Sequence, residues 1–438
     1  MLFIDPLYGS IDFKGTPYAD LIYELLGCPE VQRLRHMRLM NFDVPYIQDL
    51  ASTKRFPHSI GTCYLAYKTV EKSTLPINEK KKVVAAALIH DIGILPFGHL
   101  LESIIKTRNT EFSHEKLVYS ILTGTYHPTN LYHQILGSES LRLHKVLKQN
   151  QISPAEIYKI ICPVKGEQSA ISADIDLDNI DNVHRMAFLL GYEKAKSNLQ
   201  NLTDNIFIDN KLKLVFTPEG TSYAEEWLRM RQKIYTMIIG NPECVSYNAF
   251  LSKLLTIAVE SNIFDKNDWY VIDANFESIL LNNKSTKKLA SWLFVQPHFE
   301  LLDYIWFISN EKPKIDMIKI QNMILEQNIG IPRKSSFYFF WIENKLISRE
   351  VSLRLSNNNI KQIGINSHSI LVSLIAPSEF RLKPIKLGDN IKDKWRMDIY
   401  SYINSVLPEW NFTTKFPSDY QDTFFNSKIS NEQLNLFR

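Results

Sequence analysis

Cysteine is scarce: four residues, at positions 28, 63, 162 and 244, are too few and too widely spaced for a disulfide framework or a paired-cysteine zinc site. They read as reduced core residues, and the chain as cytoplasmic. An excess of one charge is missing too, since 50 basic residues stand against 47 acidic ones for a net charge of +3. That balance excludes the electrostatic footprint of an obligate nucleic-acid binder, although a local basic cleft remains open. No long hydrophobic run occurs. The most apolar stretch, Val83 to Phe97, is too short to span a bilayer and carries His90 and Asp91 within it, so no membrane partner is expected. The opening Met1-Leu2-Phe3-Ile4-Asp5 places an acid where a signal peptide needs apolar residues behind positive charge, so no export is expected. Repeats and low-complexity tracts are absent. What remains is an ordinary globular composition, 45% hydrophobic and 22% charged over 438 residues, long enough for two or three domains.

Apolar residues recur at three- and four-residue spacing over Tyr18 to Leu26, Pro29 to Met40, Phe56 to Lys72, Asn78 to His90 and Gly98 to Lys106, which predicts helices. Ser113, followed by Glu115, suits the start of a helix running to Leu122, and a longer helix is expected over Ala173 to Leu190. Beyond Gly191 the pattern changes to a strand pair over Asn205 to Phe216, turning at Asp209-Asn210, and then returns to helices until about Gln327. Phe337 to Ile342, Glu350 to Leu355 and Ile370 to Leu374 are short and rich in β-branched or aromatic residues, which favours strands, and Ile391 to Val406 reads as a closing helix. The expected architecture is mainly α: a helical bundle over 1–200, a helical extension with a short hairpin over 201–330, and a small α/β lobe over 331–438.

Histidine is unevenly spread, with His36, His58, His90, His99, His114, His127, His133, His144 and His184 in the first 184 residues and only His298 and His368 beyond. A lone histidine on an amphipathic helix is ordinarily a satisfied polar residue. The pair His90-Asp91 differs, because it ends the apolar run Val83-Val84-Ala85-Ala86-Ala87-Leu88-Ile89, where burying ionisable groups is costly unless a partner or metal compensates. Upstream, His58 stands near the start of a helix. Downstream, Asp176, Asp178 and Asp181 admit two readings: an acidic first helix turn favoured by the macrodipole, or ligands. Together, one imidazole, a His-Asp dipeptide and a distant Asp offer a mixed nitrogen and oxygen set suited to an octahedral divalent metal with open positions.

The order H, then HD, then D resembles the HD superfamily of metal-dependent phosphohydrolases, and the flanking residues resemble its deoxynucleoside triphosphate triphosphohydrolase (dGTPase-like) branch. Asp5-Pro6-Leu7-Tyr8-Gly9 is similar to that branch's D-P-x-[HY]-G, Gln32-Arg33-Leu34-Arg35 to its Q-R-L-R, and Arg55-Phe56-x-His58-Ser59 to its R-F-x-H-S. His90-Asp91-Ile92-Gly93, Pro96-Phe97-Gly98-His99 and His114-Glu115 resemble its H-D-[IL]-G, P-F-[SG]-H and H-E. With Asp176-x-Asp178-x-x-Asp181 and a hairpin-then-helix stretch ending at Tyr235, the likeness covers roughly residues 1 to 260. It implies an HD phosphohydrolase domain over 1–200 with His58, His90, Asp91 and Asp178 as ligands of a divalent ion, whether Mn, Fe, Mg, Co, Ni or Zn. It further implies Arg55 on a phosphate oxygen, for which a planar cationic fork is suited, and His99, Glu102 and His114 as the acid/base group. Glu102 lies three residues from His99, hence on the same helix face. The alternative for His99 and His114 is a buried structural hydrogen bond.

The departures from that branch bear on substrate. Ile94 stands where a second histidine is usual after the HD pair, Asn179 replaces a phosphate-binding Lys, and Asn182 and Met186 replace a Tyr and an Asp near the sugar. Leu39 replaces a sugar-contacting Gln and Trp227 a phosphate-contacting Arg, with Arg229 and Arg231 close by. Substrate contacts are expected from Arg55, Asn179, Asn182 and Tyr235. The expected activity is hydrolysis of a nucleotide phosphoester, with deoxynucleoside triphosphates the first substrate to try. A phosphodiesterase or nuclease acting on nucleic acid is the rival within enzymes, and a regulatory module retaining a metal site the rival outside them. A homo-oligomer is expected.

Overall fold

The computed structural model describes residues 2–41, 44–106, 112, 114–126, 141–264, 269–295, 299–315, 317–326, 336–378 and 387–421. The chain forms two compact units, one of Met1–Trp227, Phe250–Pro297 and Glu350–Ile363, the other of Leu228–Ala249, His298–Arg349 and Gly364–Arg438.

The first unit is helical apart from small hairpins. The helix Arg55–Val70 packs against both Ile77–Ile89 and Leu177–Leu189. In Ile77–Ile89 the residues Val83 to Ile89 are all fully buried. Burial of each Val, Leu or Ile is worth roughly 1.5–3 kcal/mol, which holds the helix in the middle of the bundle. The helix ends at His90, where tight turns from Ile92 to Ile89 and from Ile94 to Asp91 reverse the chain. Phe97 and Gly98 take positive φ values of 56° and 55°, and the helix Gly98–Lys106 starts there. The helix expected over Ala173 to Leu190 begins later, at Leu177. Asp176 is the reason: its carboxylate accepts from Asn179 N at 2.7 Å as an N-cap and from Ala173 N at 2.8 Å, which holds the preceding residues in a turn. Similarly, the helix expected over Pro29 to Met40 is only Pro29–Gln32 followed by a 3-10 turn, Arg33–His36. The helix His114–Thr123 is present, but Ser113, expected to cap it, and the Glu115 side chain lie outside the described residues.

Strands β1 (Leu2–Asp5) and β2 (Gly9–Asp12) form an antiparallel N-terminal hairpin that the sequence pattern does not announce. Strands β3 (Ile206–Ile208) and β4 (Leu214–Phe216) make the expected hairpin, whose turn is closed by Asp209 accepting from Lys211 N and Lys213 N. The hairpin of β7 (Val351–Arg354) and β8 (Ile360–Ile363) belongs to this unit as well, joined to β4 by a bridge between Phe216 and Leu355. Among the described residues no helix is long and apolar enough to cross a membrane.

The second unit is the α/β lobe. Its antiparallel sheet runs β10 (Thr413–Lys415), β5 (Phe299–Ser309), β9 (His368–Pro377), β6 (Phe337–Asn344). Strand β5 lies where the sequence pattern favours helices, because buried residues on both faces of a central strand erase the two-residue alternation. One face of the sheet carries Ile305, Phe307, Ile370, Val372 and Leu374, which pack with Trp395, Ile399 and Ile403 of the helix Asp389–Val406. Over the other face, Tyr304 donates its hydroxyl to Gly240 O at 2.9 Å. A Cβ at Gly240 would stand 2.5 Å from Trp306 Cζ3, so only glycine admits this approach. Gly240→Ala is expected to destabilise this unit by about 1–3 kcal/mol through overpacking, measured by urea unfolding, and an unchanged midpoint would show that Trp306 moves aside freely.

Candidate metal centre

The first ligand candidates come from helix ends. His58 sits one turn into Arg55–Val70, His90 and Asp91 at the end of Ile77–Ile89, and Asp178 in the first turn of Leu177–Leu189. Packing those three helices together brings His58 Nε2 to 3.2 Å from His90 Nε2 and 3.0 Å from Asp178 Oδ1. His90 Nε2 lies 3.6 Å from the same oxygen. Asp91 Oδ2 faces this point from 3.9 Å (His58) and 3.7 Å (His90). Both histidines are buried, and the Asp178 side chain retains 33% exposure, which leaves one open side.

The outer nitrogens decide what the inner ones can do. His58 Nδ1 donates to Asp181 Oδ1 at 2.7 Å and His90 Nδ1 donates to the Ala87 carbonyl at 2.9 Å. In those neutral tautomers both Nε2 lone pairs point at each other and at two carboxylates. Acceptors so arranged require a positive charge between them. Burial opposes protonation of His58, but hydrogen bonds and charge from Asp178 and Asp181 outweigh it and take the imidazole up to about 10. His90 is raised too, against burial, by Asp91 and Asp178. Burial works against the Asp91 and Asp178 anions as well, yet Arg55 and the imidazoles hold Asp91, and the imidazoles hold Asp178, well below the usual carboxylate range. Two imidazole nitrogens and carboxylate oxygens converging with one side open fit a divalent metal, and His58, His90 and Asp178 offer donor atoms all within 4.8 Å of one another.

Arg55 is engaged by the protein itself. Its NH1 donates to Asp91 Oδ2 at 2.7 Å, its Nε to Arg38 O and its NH2 to Leu39 O, both at 3.1 Å. The guanidinium thus fixes Asp91, with one N–H on each terminal nitrogen left over. A second cluster forms at the next helix: His99 Nδ1 and His114 Nδ1 lie 3.2 Å and 2.8 Å from the same Glu102 oxygen, Oε2, while Lys106 Nζ is 2.7 Å from Oε1. Burial pushes Glu102 upward, but hydrogen bonds from both histidines and Lys106 dominate and hold it well below the usual carboxylate range. The His99 side chain is 59% exposed and that of His114 19%. The backbone ties the clusters together, since a Cβ at Gly98 would stand 3.3 Å from Arg55 NH2, and His99 follows it.

The expected substrate residues are less convergent. The Asn179 side chain turns to Asp176, donating at 3.0 Å to each carboxylate oxygen. Asn182 follows Asp181 on the same helix, and its Oδ1 is buried with no hydrogen-bond partner among the described residues. Tyr235 belongs to the second unit, where the Arg231 guanidinium stacks 4.5 Å from its ring centroid. Trp227, at the position expected for a phosphate-binding Arg, is fully buried and donates to Asn179 O at 3.1 Å. Arg185 was not singled out from sequence, although its four-residue distance from Asp181 is the spacing of a helical ion pair, and the two are joined at 2.9 Å.

Fold and site together define an HD domain, and the family model of that description matches residues 55–186. That domain is of the metal-dependent phosphohydrolase type, with a divalent metal ion as its cofactor. The chain is similar to an uncharacterized protein of Mycoplasma genitalium, 26% identical over 69% of this chain and 71% of that one. It is also similar to the Dictyostelium discoideum homologue of the deoxynucleoside triphosphate triphosphohydrolase SAMHD1, 22% identical over 86% of this chain and 75% of the other. The Bos taurus SAMHD1 is 33% identical, but over only 22% of this chain and 17% of its own. Among solved structures, a phosphohydrolase from Bacteroides thetaiotaomicron superposes with a TM-score of 0.57, covering 85% of this chain and 99% of that one at 17% identity, which shows a shared fold.

Metal uptake should be visibly linked to protons. Because His58 titrates near 10 without the metal, binding at lower pH displaces a proton, and affinity should rise about tenfold per pH unit from 7 towards 9. Titration calorimetry with Mn²⁺ in buffers of different ionisation enthalpy checks this; release of no proton at pH 8 would contradict it. Asp178→Ala should lose the ion while staying folded.

Proposed function

We propose that the protein hydrolyses a nucleotide phosphoester, with deoxynucleoside triphosphates as the first substrate class, cleaved by water into deoxynucleoside and triphosphate. The observation that carries the chemistry is the convergence of His58 Nε2, His90 Nε2 and Asp178 Oδ1 on one partly open point. The likeness to the Dictyostelium homologue, which extends over most of both chains, supports the choice of substrate class.

In this reading His58, His90 and Asp178 hold the ion, with Asp91 beside them. The ion, when bound, supplies Lewis acidity toward water and the phosphoryl oxygen. Arg55 acts first on Asp91, which it fixes at 2.7 Å, and only its remaining N–H groups are available to a phosphate. Glu102, held as the anion, orients His99 and His114 through Nδ1, and one of these rings donates the proton to the leaving oxygen. Asn182 brings a polar side chain to the helix that carries Asp178 and is a candidate sugar or base contact, whereas Asn179 is occupied with Asp176. Tyr235 remains a candidate from the second unit.

The departures from the triphosphohydrolase pattern bear on specificity rather than on chemistry. Leu39 and Met186 are buried apolar side chains, and apolar contacts discriminate weakly between sugars that differ by one hydroxyl. Deoxy- and ribonucleoside triphosphates should therefore be turned over with similar efficiency.

The test is turnover of the full chain with Mn²⁺, Mg²⁺, Fe²⁺ or Co²⁺ on both triphosphate series and on single-stranded DNA and RNA, with products identified by mass. His114→Gln and His99→Gln should each lower the rate on the confirmed substrate by about 10²–10⁴ with metal binding retained. Wild-type rates in both variants would make the pair structural, and exclusive cleavage of the polynucleotides would transfer the reading to a diesterase.

A further inference from the structure

The N-terminal motif Asp5-Pro6-Leu7-Tyr8-Gly9 lies far in sequence from every candidate ligand, yet the fold sets it directly behind one of them. Asp5 closes the β1–β2 turn by accepting from Leu7 N at 2.9 Å and Tyr8 N at 3.1 Å through Oδ1. Its Oδ2 accepts from Arg185 NH1 at 2.8 Å. Arg185 in turn grips Asp181 with two parallel hydrogen bonds, Nε to Oδ1 at 2.9 Å and NH2 to Oδ2 at 3.0 Å. The Tyr8 hydroxyl donates to Asp181 Oδ2 at 2.8 Å, and Asp181 Oδ1 accepts from His58 Nδ1 at 2.7 Å. Asp5, Asp181, Arg185 and His58 are all buried.

Charge gives this chain of contacts its direction. One guanidinium lies between two carboxylates, so the set keeps a net negative charge, and the only imidazole it hydrogen-bonds among the described residues is His58. That charge makes Nδ1 the donor and presents Nε2 to the ligand point. An imidazole whose outer N–H is held by a carboxylate is a better and more rigidly aimed metal ligand. Gly61, three residues after His58, is an independent mark of the same construction. A Cβ there would stand 2.1 Å from Asp181 Oδ2, 2.6 Å from Arg185 NH2 and 2.8 Å from Tyr8 Cε2, so the helix backbone is bare where the three side chains meet.

We propose that Asp5 and Tyr8 of the N-terminal hairpin are positioning residues of the metal centre, acting through Arg185 and Asp181 on the orientation and tautomer of His58. The inference rests on His58 being a metal ligand. It predicts that metal affinity, and not fold stability alone, depends on a hydroxyl that never touches the metal.

The experiment is Mn²⁺ titration calorimetry at one fixed pH on the full chain, with folding of each variant checked by circular dichroism. Asp181→Asn should weaken binding by about 10–100-fold, the usual loss when the partner of a ligating histidine is removed. Tyr8→Phe should lower affinity less, in the same direction, and add little to Asp181→Asn because both act through one carboxylate. Gly61→Ala, which keeps every polar group, should also weaken binding by wedging them apart. Should Asp181→Asn or Gly61→Ala fail to fold, Tyr8→Phe decides, since it removes one oxygen from an otherwise unchanged ring. Wild-type affinity in folded Tyr8→Phe overturns the role of the hairpin. Wild-type affinity in His58→Ala overturns the metal reading itself, whatever the hairpin variants do.

Discussion

Two imidazole nitrogens 3.2 Å apart, facing carboxylates in a buried position, cannot coexist without a cation, and much of the first unit is arranged around that constraint. The helix Ile77–Ile89 is apolar throughout its last two turns, so its C-terminal His90 and Asp91 are carried into the interior rather than exposed. Arg55 then neutralises Asp91 from the neighbouring helix, and Asp181 restrains His58 from a third. Each ionisable group is answered by a group on a different helix. The site is therefore a property of the packing and not of any one segment.

This explains how far the sequence could be read. That His58, His90-Asp91 and Asp178 come together was legible because they stand at helix starts and ends, where local pattern and motif agree. Spacing also placed Glu102 beside His99, and the structure adds that His114 reaches the same carboxylate oxygen from another helix. The internal partners of Arg55 were not legible. A cationic fork near a phosphate site suggests a ligand contact, and only the three-dimensional partners, Asp91 Oδ2 and the carbonyls of Arg38 and Leu39, show that the fork is largely occupied. Asn179 is similar: its local acceptor Asp176 is three residues away, and a helix N-cap claims it.

The misplaced boundaries have physical reasons of the same kind. Apolar periodicity continues from Pro29 through Met40, but Arg33 is drawn inward to donate to the carbonyls of Ile94 and Val271, and the chain tightens into a 3-10 turn there. Strand β5 escaped notice because its buried run, Leu302 to Phe307, has no alternation to detect once both faces of a central strand are covered. The segments Phe337 to Ile342 and Ile370 to Leu374 were visible because β-branched and aromatic residues mark them without alternation.

What distinguishes this chain from the triphosphohydrolase pattern it resembles is where the substitutions fall. The expected ligands keep the pattern's residue types, and the expected acid/base group keeps His99 and His114 with Glu102 between them. Leu39, Asn179 and Trp227 have instead been drawn into the protein's own structure: Leu39 is buried with its carbonyl on Arg55, Asn179 donates to the helix N-cap Asp176, and Trp227 is core. A side chain committed to internal contacts cannot at the same time grip a substrate's phosphate or sugar. The N-terminal motif keeps the pattern, and although distant in sequence it is joined to the centre through Arg185 and Asp181. The residues that would organise a metal and those that would grip a substrate are thus different residues of one fold, and the first group is the one whose residue types match the pattern.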